Sequence, residues 1–409
     1  MDNLESTRLA AFSHKPFVYY WAARFCATFA VQIVSVSVAW QVYDLTRNPK
    51  DLGLIGLVQF LPLLLLVLVT GTVADRYGRR RVMSLSLCLQ ILCASSVLFF
   101  SWRGLSSPMP IFVALTLLAI ARAFFGPASQ ALLGGLVPMH LFVNAVSWNS
   151  SAWQIASIVG PVAGGLLYGV GSTVAYSVAV IMLVTSLLLL LRVPEPPPPK
   201  EIRRVTTSSV FEGLHFIRKQ KVVLGAISLD LFAVLLGGAV ALMPVYARDI
   251  LELGPWGLGF LRAAPGIGAV LTAAFLATSP IRDHAGRILL VFVGLFGVFT
   301  ILFGVSTLAW LSIIALALIG AADMVSVVIR ETLLQLWTPD AVRGRVNAVN
   351  MVFLGASNEL GEFRAGFMAA WIGVVPAVVF GGVGAVAVAV ASAWLFPQLR
   401  DVRYLNKPE

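Results

Sequence analysis

Charged side chains inside otherwise apolar stretches are the residues of this sequence best suited to chemistry. An ionisable group near the centre of a membrane costs about 3 kcal/mol or more, so it usually faces a cavity or a partner. These positions are therefore candidate sites for a solute or a proton. They are Arg24, Arg122, Asp230, Arg262, Asp323, Arg330, Glu331, Glu359, Glu362 and Arg364. We expect Arg330 and Glu331 to lie at the surface. Arg262 is either buried or located at the outer end of its helix.

Membrane-spanning helices must hold these charges. With 59% hydrophobic and 12% charged residues, the 409-residue chain has too little polar surface for a soluble protein. Continuous apolar runs exclude barrel strands, so we predict an all-α membrane protein. Runs of ~20 residues, the length that crosses a bilayer, predict twelve spans. These are 17–43, 52–74, 82–102, 110–132, 143–169, 174–191, 222–246, 256–277, 288–306, 308–331, 346–371 and 375–395.

The distribution of Lys and Arg predicts the orientation. Loops on one side of the predicted spans carry only four of the 29 basic residues, namely Arg47, Lys50, Arg103 and Arg248. Because basic loops stay inside, we predict a multi-pass protein of the bacterial inner membrane with both termini in the cytoplasm. The net charge of +10 reflects this bias and attraction to membrane lipids, so we expect no nucleic-acid partner.

A proline-rich segment, 193–204, and an amphipathic stretch, 210–218, separate the sixth span from the seventh. We predict an N-terminal bundle over 1–192, a cytoplasmic linker over 193–221, a C-terminal bundle over 222–396 and a tail over 397–409. The linker is interpreted as a tether, with a regulatory docking site as the alternative.

Internal similarity relates the two bundles. The pattern D-x-x-G-R at 75–79 recurs at 283–287, after the second and eighth spans. Two further matches follow in order, so the chain is interpreted as a duplicated six-helix unit. Parallel repeats of this kind are typical of transporters with a site between the halves.

The segment from Gly71 to Arg81 resembles the signature loop of the major facilitator superfamily, and 343–350 with 358–366 is similar to its enterobactin-exporter branch. The resemblance implies two pseudo-symmetric six-helix bundles. It also implies a cytoplasmic gate motif that latches the halves. The residues of this motif are Gly71, Asp75, Arg76, Gly78 and Arg79. The acidic partner usual in the fourth helix is not evident, because Ser129 and Gln130 stand in that region.

The fourth and fifth spans carry further resemblances. Arg122, four residues before Gly126, resembles a superfamily motif, and the fifth span resembles the core of the antiporter motif. That core comprises Gly160, Pro161, Gly164 and Gly165. The match favours export by antiport, although glycine and proline in a membrane helix also serve close packing.

The repeat offsets place Arg24 opposite Asp230 and Arg122 opposite Asp323. In the superfamily the helices that carry these residues line the central cavity. Charge pairs across the cavity can therefore alternate with proton or substrate binding. The alternative is static ion pairs inside each half.

Glu359 and Glu362, three residues apart, share one helix face and are a second candidate proton site. Arg364 is poorly placed to pair with Glu362 along that helix, because residues two apart diverge.

We therefore predict a proton-coupled exporter of an amphipathic small molecule, a siderophore or a drug. A lysophospholipid transporter and a non-transporting scaffold or sensor remain alternatives. The sequence has no phosphate-binding loop and no paired metal-ligand spacing, so we expect neither enzymatic activity nor a cofactor. The proton gradient would supply the energy. We expect a monomer, because two halves complete the pseudo-symmetric unit.

Overall fold

The computed structural model describes residues 9–105, 107–195, 207–281 and 283–404. Within these ranges, the side chains at 67, 68, 71, 72, 74, 75, 207–211, 340 and 341 lie outside the description. The described residues form a succession of long helices joined by short turns.

Six long helices form before the linker. Runs of Leu, Val, Ile and Ala favour these helices in lipid, because each backbone group is satisfied within its own segment. Glycines with positive φ, Gly78 (87°) and Gly104 (81°), lie at the two ends of the third helix. The helices are α1 (Lys15–Thr46), α2 (Pro49–Tyr77), α3 (Arg79–Arg103), α4 (Met109–Leu133), α5 (Phe142–Val170) and α6 (Ser172–Leu191).

Seven further helices of more than ten residues follow in the described part of the chain. They are α7 (Thr207–Lys219), α8 (Lys221–Gly237), α9 (Gly254–Thr278), α10 (Ala285–Val305), α11 (Ala309–Trp337), α12 (Asp340–Ile372) and α13 (Val374–Leu395). The segment between α8 and α9 winds irregularly through a 3₁₀ turn at Val240–Leu242 and a π turn at Tyr246–Ile250. The amphipathic stretch predicted at 210–218 lies in α7, whereas the linker from residue 196 to 206 lies outside the described residues.

Eleven helical segments of the described chain are long and apolar enough to cross a membrane, with Lys221–Ile250 counted as one. The helix α12, with 33 residues, is also long enough to cross a membrane. It is more polar than these eleven segments because it contains Glu359, Glu362 and Arg364. Counting α12 gives the twelve spans that the sequence predicts.

The chain divides into two compact units. Met1–Leu45 with Leu61–Val205 is here called the N-terminal unit, and Thr46–Phe60 with Thr206–Glu409 the C-terminal unit. The helix α2 therefore contributes its first turns to the C-terminal unit and the rest to the N-terminal unit. The domain boundaries given above stay a prediction.

In the N-terminal unit, buried polar contacts tie α1 to its neighbours. The Tyr176 hydroxyl of α6 donates a hydrogen bond to the Gln41 side-chain oxygen at 2.6 Å, and the Gln41 amide donates to the Ser101 hydroxyl at 2.9 Å. All three side chains lie inside membrane helices, where an unsatisfied polar group is costly. These bonds therefore fix the register of α1, α3 and α6.

In the C-terminal unit, close helix approach depends on glycines. The first turns of α2 pack against α12 so tightly that a Cβ at Gly53 would lie 2.8 Å from the Phe363 carbonyl oxygen. The segment after α13 folds back on the start of α10, where the Gly286 amide donates to the Val402 carbonyl at 3.0 Å. The linker helix α7 joins this unit by burying Ile217.

Candidate functional site

A cavity of about 290 Å³ opens inside the N-terminal unit between α1, α3, α4 and α5. Its wall combines charged, amide and aromatic side chains. The principal ones are Arg24, Gln32, Gln90, Arg122, Gln130 and Trp153. The structure thus places Arg24 and Arg122, two charges picked out from the sequence, on one cavity.

A chain of hydrogen bonds positions Arg24. Its guanidinium donates to the Tyr20 hydroxyl at 3.2 Å, and that hydroxyl donates to the Ser129 carbonyl oxygen at 2.9 Å. Tyr20 is fully buried, so α4 holds it and Tyr20 in turn orients Arg24. Arginine has five N–H donors, and no other hydrogen bond from Arg24 to a described residue is present.

The antiporter-like glycines bring α5 against α1. A Cβ at Gly160 would lie 2.6 Å from the Cβ of Gln32, and one at Gly164 would lie 3.0 Å from the Cα of Ile33. Pro161 and Gly165 are buried in the same stretch. The Gln32 amide, which faces the cavity, donates to the Ser157 hydroxyl at 3.4 Å. The motif therefore shapes one wall of the cavity by permitting close backbone approach.

The gate motif lies at the turn between α2 and α3. Arg79 donates to the Ala131 carbonyl in the last turn of α4 at 2.7 Å. A cation at a helix C-terminus is favourable, so this contact ties the turn between α2 and α3 to the end of α4. Arg76 is exposed, with its guanidinium 5.6 Å from the Tyr77 ring centre. The surroundings of Gly71 and Asp75 lie outside the described residues.

The linker supplies an acidic residue to the same turn. Glu195 lies 3.8 Å from Arg80 and 3.5 Å from Arg81, and it packs beside Gly78. Arg80 also donates to the Val193 carbonyl at 2.8 Å. The start of the linker is thus tied to the loop between α2 and α3.

Asp230 takes its partner inside its own half. Its carboxylate forms an ion pair with Arg330 of α11, and only 2% of Arg330 is exposed. The expectation of a surface position for Arg330 was wrong, because the carboxylate across from it on α8 compensates the buried charge. Glu331 beside it accepts a hydrogen bond from the Asn350 amide at 3.2 Å.

Asp323, near the middle of α11, differs from Asp230. The side chain is half-buried, and among the described residues it has no hydrogen-bond or ion-pair partner. A carboxylate without a compensating cation in a membrane helix is costly when ionised. Asp323 is therefore well suited to bind a proton.

Glu359 and Glu362 both border Gly56 of α2. A Cβ there would lie 2.8 Å from the Glu359 carbonyl oxygen and 3.0 Å from the Cβ of Glu362. Glu362 also lies near enough to Arg262 of α9 for the two charges to interact. Arg262 is half-buried, and the nearby carboxylate of Glu362 compensates its charge within the C-terminal unit.

Arg364 binds the backbone where the seventh predicted span breaks. The helix α8 ends at Gly237, and Gly238 adopts an extended conformation. Arg364 donates to the Leu235 carbonyl at 2.9 Å and also to the Leu236 carbonyl. The last carbonyls of a helix lack intrahelical partners, so Arg364 stabilises the break. The sequence analysis did not predict this break, because the apolar run continues through it. The adjacent glycines Gly237 and Gly238 could have indicated it.

Comparison with known proteins identifies the family. A family profile described as transmembrane secretion effector matches residues 6–406, nearly the whole chain. The chain belongs to this family of the major facilitator superfamily. Its members and relatives are transporters, so the transporter and non-enzyme predictions are confirmed.

Curated relatives of this transporter include enterobactin exporters. Those of Shigella boydii serotype 18 and Escherichia coli O81 are each 28% identical to it over 392 residues. The alignment covers 93% of this chain and 88% of each exporter. The similarity extends through both halves.

Solved structures confirm the fold. A bacterial homologue of the human lysosomal transporter Spinster superposes with a TM-score of 0.71 at 14% identity, covering 96% of both chains. A bacterial homologue of the iron transporter ferroportin gives 0.70 at 15% identity, covering 95% of this chain and 99% of its own. The two-bundle, twelve-helix architecture is that of this superfamily.

Sequence reasoning missed three residues of the transporter that the structure brings to these sites. Tyr20 fixes Arg24, Gln90 lies at the cavity wall, and Glu195 pairs with the arginines of the gate turn. Gln90 and Tyr20 stand in apolar runs, where each interrupts the hydrophobic pattern only slightly. Glu195 is separated by more than a hundred residues from its arginines, so no local pattern signals their contact.

Proposed function

We propose that this transporter exports an amphipathic small molecule of the siderophore or drug class across the bacterial inner membrane, with proton antiport as the energy source. Similarity to the enterobactin exporters over 93% of the chain is the observation that carries the proposal. Both termini would lie in the cytoplasm, and transport would proceed by alternating access.

Proton coupling is assigned to Asp323. Support comes from its half-buried position in α11 without a hydrogen-bond or ion-pair partner among the described residues. By contrast, Asp230 has its own cation in Arg330. A carboxylate that is free to exchange a proton can couple conformational change to the gradient, whereas one neutralised by arginine is already satisfied.

The test is cargo-induced proton flux in proteoliposomes that contain the full-length protein and a pH-sensitive dye. Enterobactin, ethidium and lysophosphatidylcholine are offered in turn as cargo. We expect wild type to release protons with at least one cargo and Asp323→Asn to lose this flux. Asp401→Asn, which removes a carboxylate beside Arg400 at the surface, is the matched control and should behave as wild type.

Each other result overturns part of the proposal. Unchanged flux in Asp323→Asn would remove that residue from coupling and move the site to Glu359 and Glu362. Cargo movement that is indifferent to a collapsed gradient would refute proton antiport and favour a lipid mover. No movement of any cargo would refute transport of these classes.

A further inference from the structure

The two D-x-x-G-R segments have the same kind of neighbour within their own units. In the N-terminal unit, Glu195, which follows α6, packs on Gly78 at the turn before α3. In the C-terminal unit, Leu399, which follows α13, packs on Gly286 in the first turn of α10. Arg403, where this contact ends, follows Glu195 by as many residues as Gly286 follows Gly78. The contact therefore repeats together with the sequence pattern.

Backbone hydrogen bonds and apolar burial hold the segment 396–403, here called the tail strap. The amides of Ala285 and Gly286 donate to the carbonyls of Arg403 at 3.1 Å and of Val402 at 3.0 Å. Amides in the first turn of a helix have no partner within that helix, so the tail strap satisfies groups that α10 leaves open. Val402 is also buried in the apolar core of this unit. The tail strap is thus fixed by contacts that do not depend on charge.

Gly286 is the seat of the tail strap. It lies inside α10, and the left-handed backbone conformation before this helix belongs to His284, with a φ of 57°. A turn therefore does not require glycine at position 286. A Cβ there would collide with the Leu399 carbonyl oxygen and would lie 3.1 Å from the Arg400 carbonyl oxygen. These are backbone atoms, so only a residue without a side chain admits the strap.

Charge holds the equivalent segment 192–195, here called the linker strap. The Glu195 carboxylate lies 3.5 Å from Arg81 and 3.8 Å from Arg80, and its Oε1 atom is buried without a hydrogen-bond partner among the described residues. Arg80 also donates to the Val193 carbonyl at 2.8 Å. Ion pairs with an accessible partner such as Arg81 are weak and are screened by salt. The linker strap is therefore much easier to release than the tail strap.

We infer that the two straps are equivalent clamps, each joining the start of the third helix of its half to the exit from the last helix, and that charge screening opens only the linker strap. The helix α3 packs on α6, and α10 packs on α13. A closed clamp makes each of these pairs move as one body. Release of the linker strap frees the turn between α2 and α3, which Arg79 still ties to α4.

Amide hydrogen exchange of the full-length protein in detergent micelles tests the tail strap. Gly286→Ala should accelerate exchange over residues 398–403 roughly tenfold or more, because the strap loses its seat. Gly294→Ala in the same helix is the matched control, since no described atom lies within 4 Å of a Cβ there. Alanine favours a helix over glycine, so a propensity effect alone would slow exchange in both variants.

A second variant keeps Gly286 and weakens the strap from its own side. Val402→Ala removes two buried methyl groups of the tail strap and should accelerate the same exchange several-fold. It replaces Gly286→Ala if the latter does not fold. Exchange over residues 398–403 that stays at the wild-type rate in the folded variants would overturn the tail clamp.

Salt distinguishes the two clamps. Raising sodium chloride from about 0.01 M to about 1 M shortens the screening length from roughly 30 Å to roughly 3 Å. Exchange over residues 192–195 should then accelerate about fivefold, whereas exchange over the tail strap should change by less than about twofold. Glu195→Gln should abolish this response to salt. Arg103→Gln, at the other end of α3, should preserve it.

The salt experiment has two outcomes that contradict the inference. A response of both straps, or of neither, would overturn the distinction between a fixed and a releasable clamp. A salt response that persists in Glu195→Gln would show that the carboxylate does not hold the linker strap. None of these results bears on the export proposal, because that proposal depends on flux.

Discussion

The carboxylate of Asp230 in α8 forms an ion pair with the guanidinium of Arg330 in α11, and both side chains are buried within the C-terminal unit. Removing one member of a buried pair leaves an uncompensated charge, at a cost of roughly 3–5 kcal/mol. We predict that Arg330→Met lowers the thermal unfolding temperature strongly. The double variant Asp230→Leu with Arg330→Met should recover most of the loss, because no charge is then stranded.

Thermal unfolding of wild type, Asp230→Leu, Arg330→Met and the double variant in detergent micelles measures this coupling. Arg400→Met, at an exposed pair with Asp401, serves as the control and should cost less than about 1 kcal/mol. A double variant no more stable than Arg330→Met would contradict a direct interaction between the two residues.

Arg364→Met should loosen the break at the end of α8. The guanidinium donates to the carbonyls of Leu235 and Leu236, and hydrogen bonds to a charged group are worth about 1.5–3 kcal/mol each. Amide hydrogen exchange over residues 232–242 should therefore accelerate at least tenfold. Arg345→Met, on the same helix but in an exposed pair with Glu212, should leave this exchange unchanged. Unchanged exchange in Arg364→Met would show that the break is stable without its arginine.

Glu195→Gln should release the start of the linker with little effect on global stability. The carboxylate contacts Arg80 and Arg81, but Arg81 is largely exposed (77%), and pairs of this kind contribute about 1 kcal/mol or less. We expect limited proteolysis of the linker to become several-fold faster at low salt while the unfolding temperature stays nearly constant. Glu252→Gln, at an exposed position, is the control. Equal cleavage rates would mean that the Val193 carbonyl contact alone holds this segment.

Gly160→Ala should destabilise the transporter, whereas Gly169→Ala in the same helix should not. A Cβ at Gly160 would lie 2.6 Å from the Cβ of Gln32, but none of the described atoms lies within 4 Å of one at Gly169. Alanine favours a helix over glycine by about 1 kcal/mol, so Gly169→Ala is expected to be neutral or stabilising. Thermal unfolding with both variants checks the difference. Equal behaviour would show that α1 and α5 can separate without loss.

The sequence by itself determined that the chain is helical and how many membrane spans it has. In hydrocarbon each backbone group must be satisfied within its own segment, so a run of about 20 apolar residues is sufficient information for a span. The same reasoning marked Arg24, Arg122 and Asp323, because a charge in such a run stands out against a uniform background. The break after Gly237 was not predicted, because the apolar run continues through it.

Only the tertiary structure decided which partner each charge takes. Asp230 and Arg330 are one hundred residues apart, and the repeat offsets had related Asp230 to Arg24 instead. Arg364 binds backbone carbonyls of α8, and Arg79 binds the carbonyl end of α4, contacts that side-chain types do not encode. Electrostatic and hydrogen-bond energies depend on distances of a few ångströms between helices. Those distances are set by packing, here by glycines such as Gly160 and Gly53 that let neighbouring backbones approach.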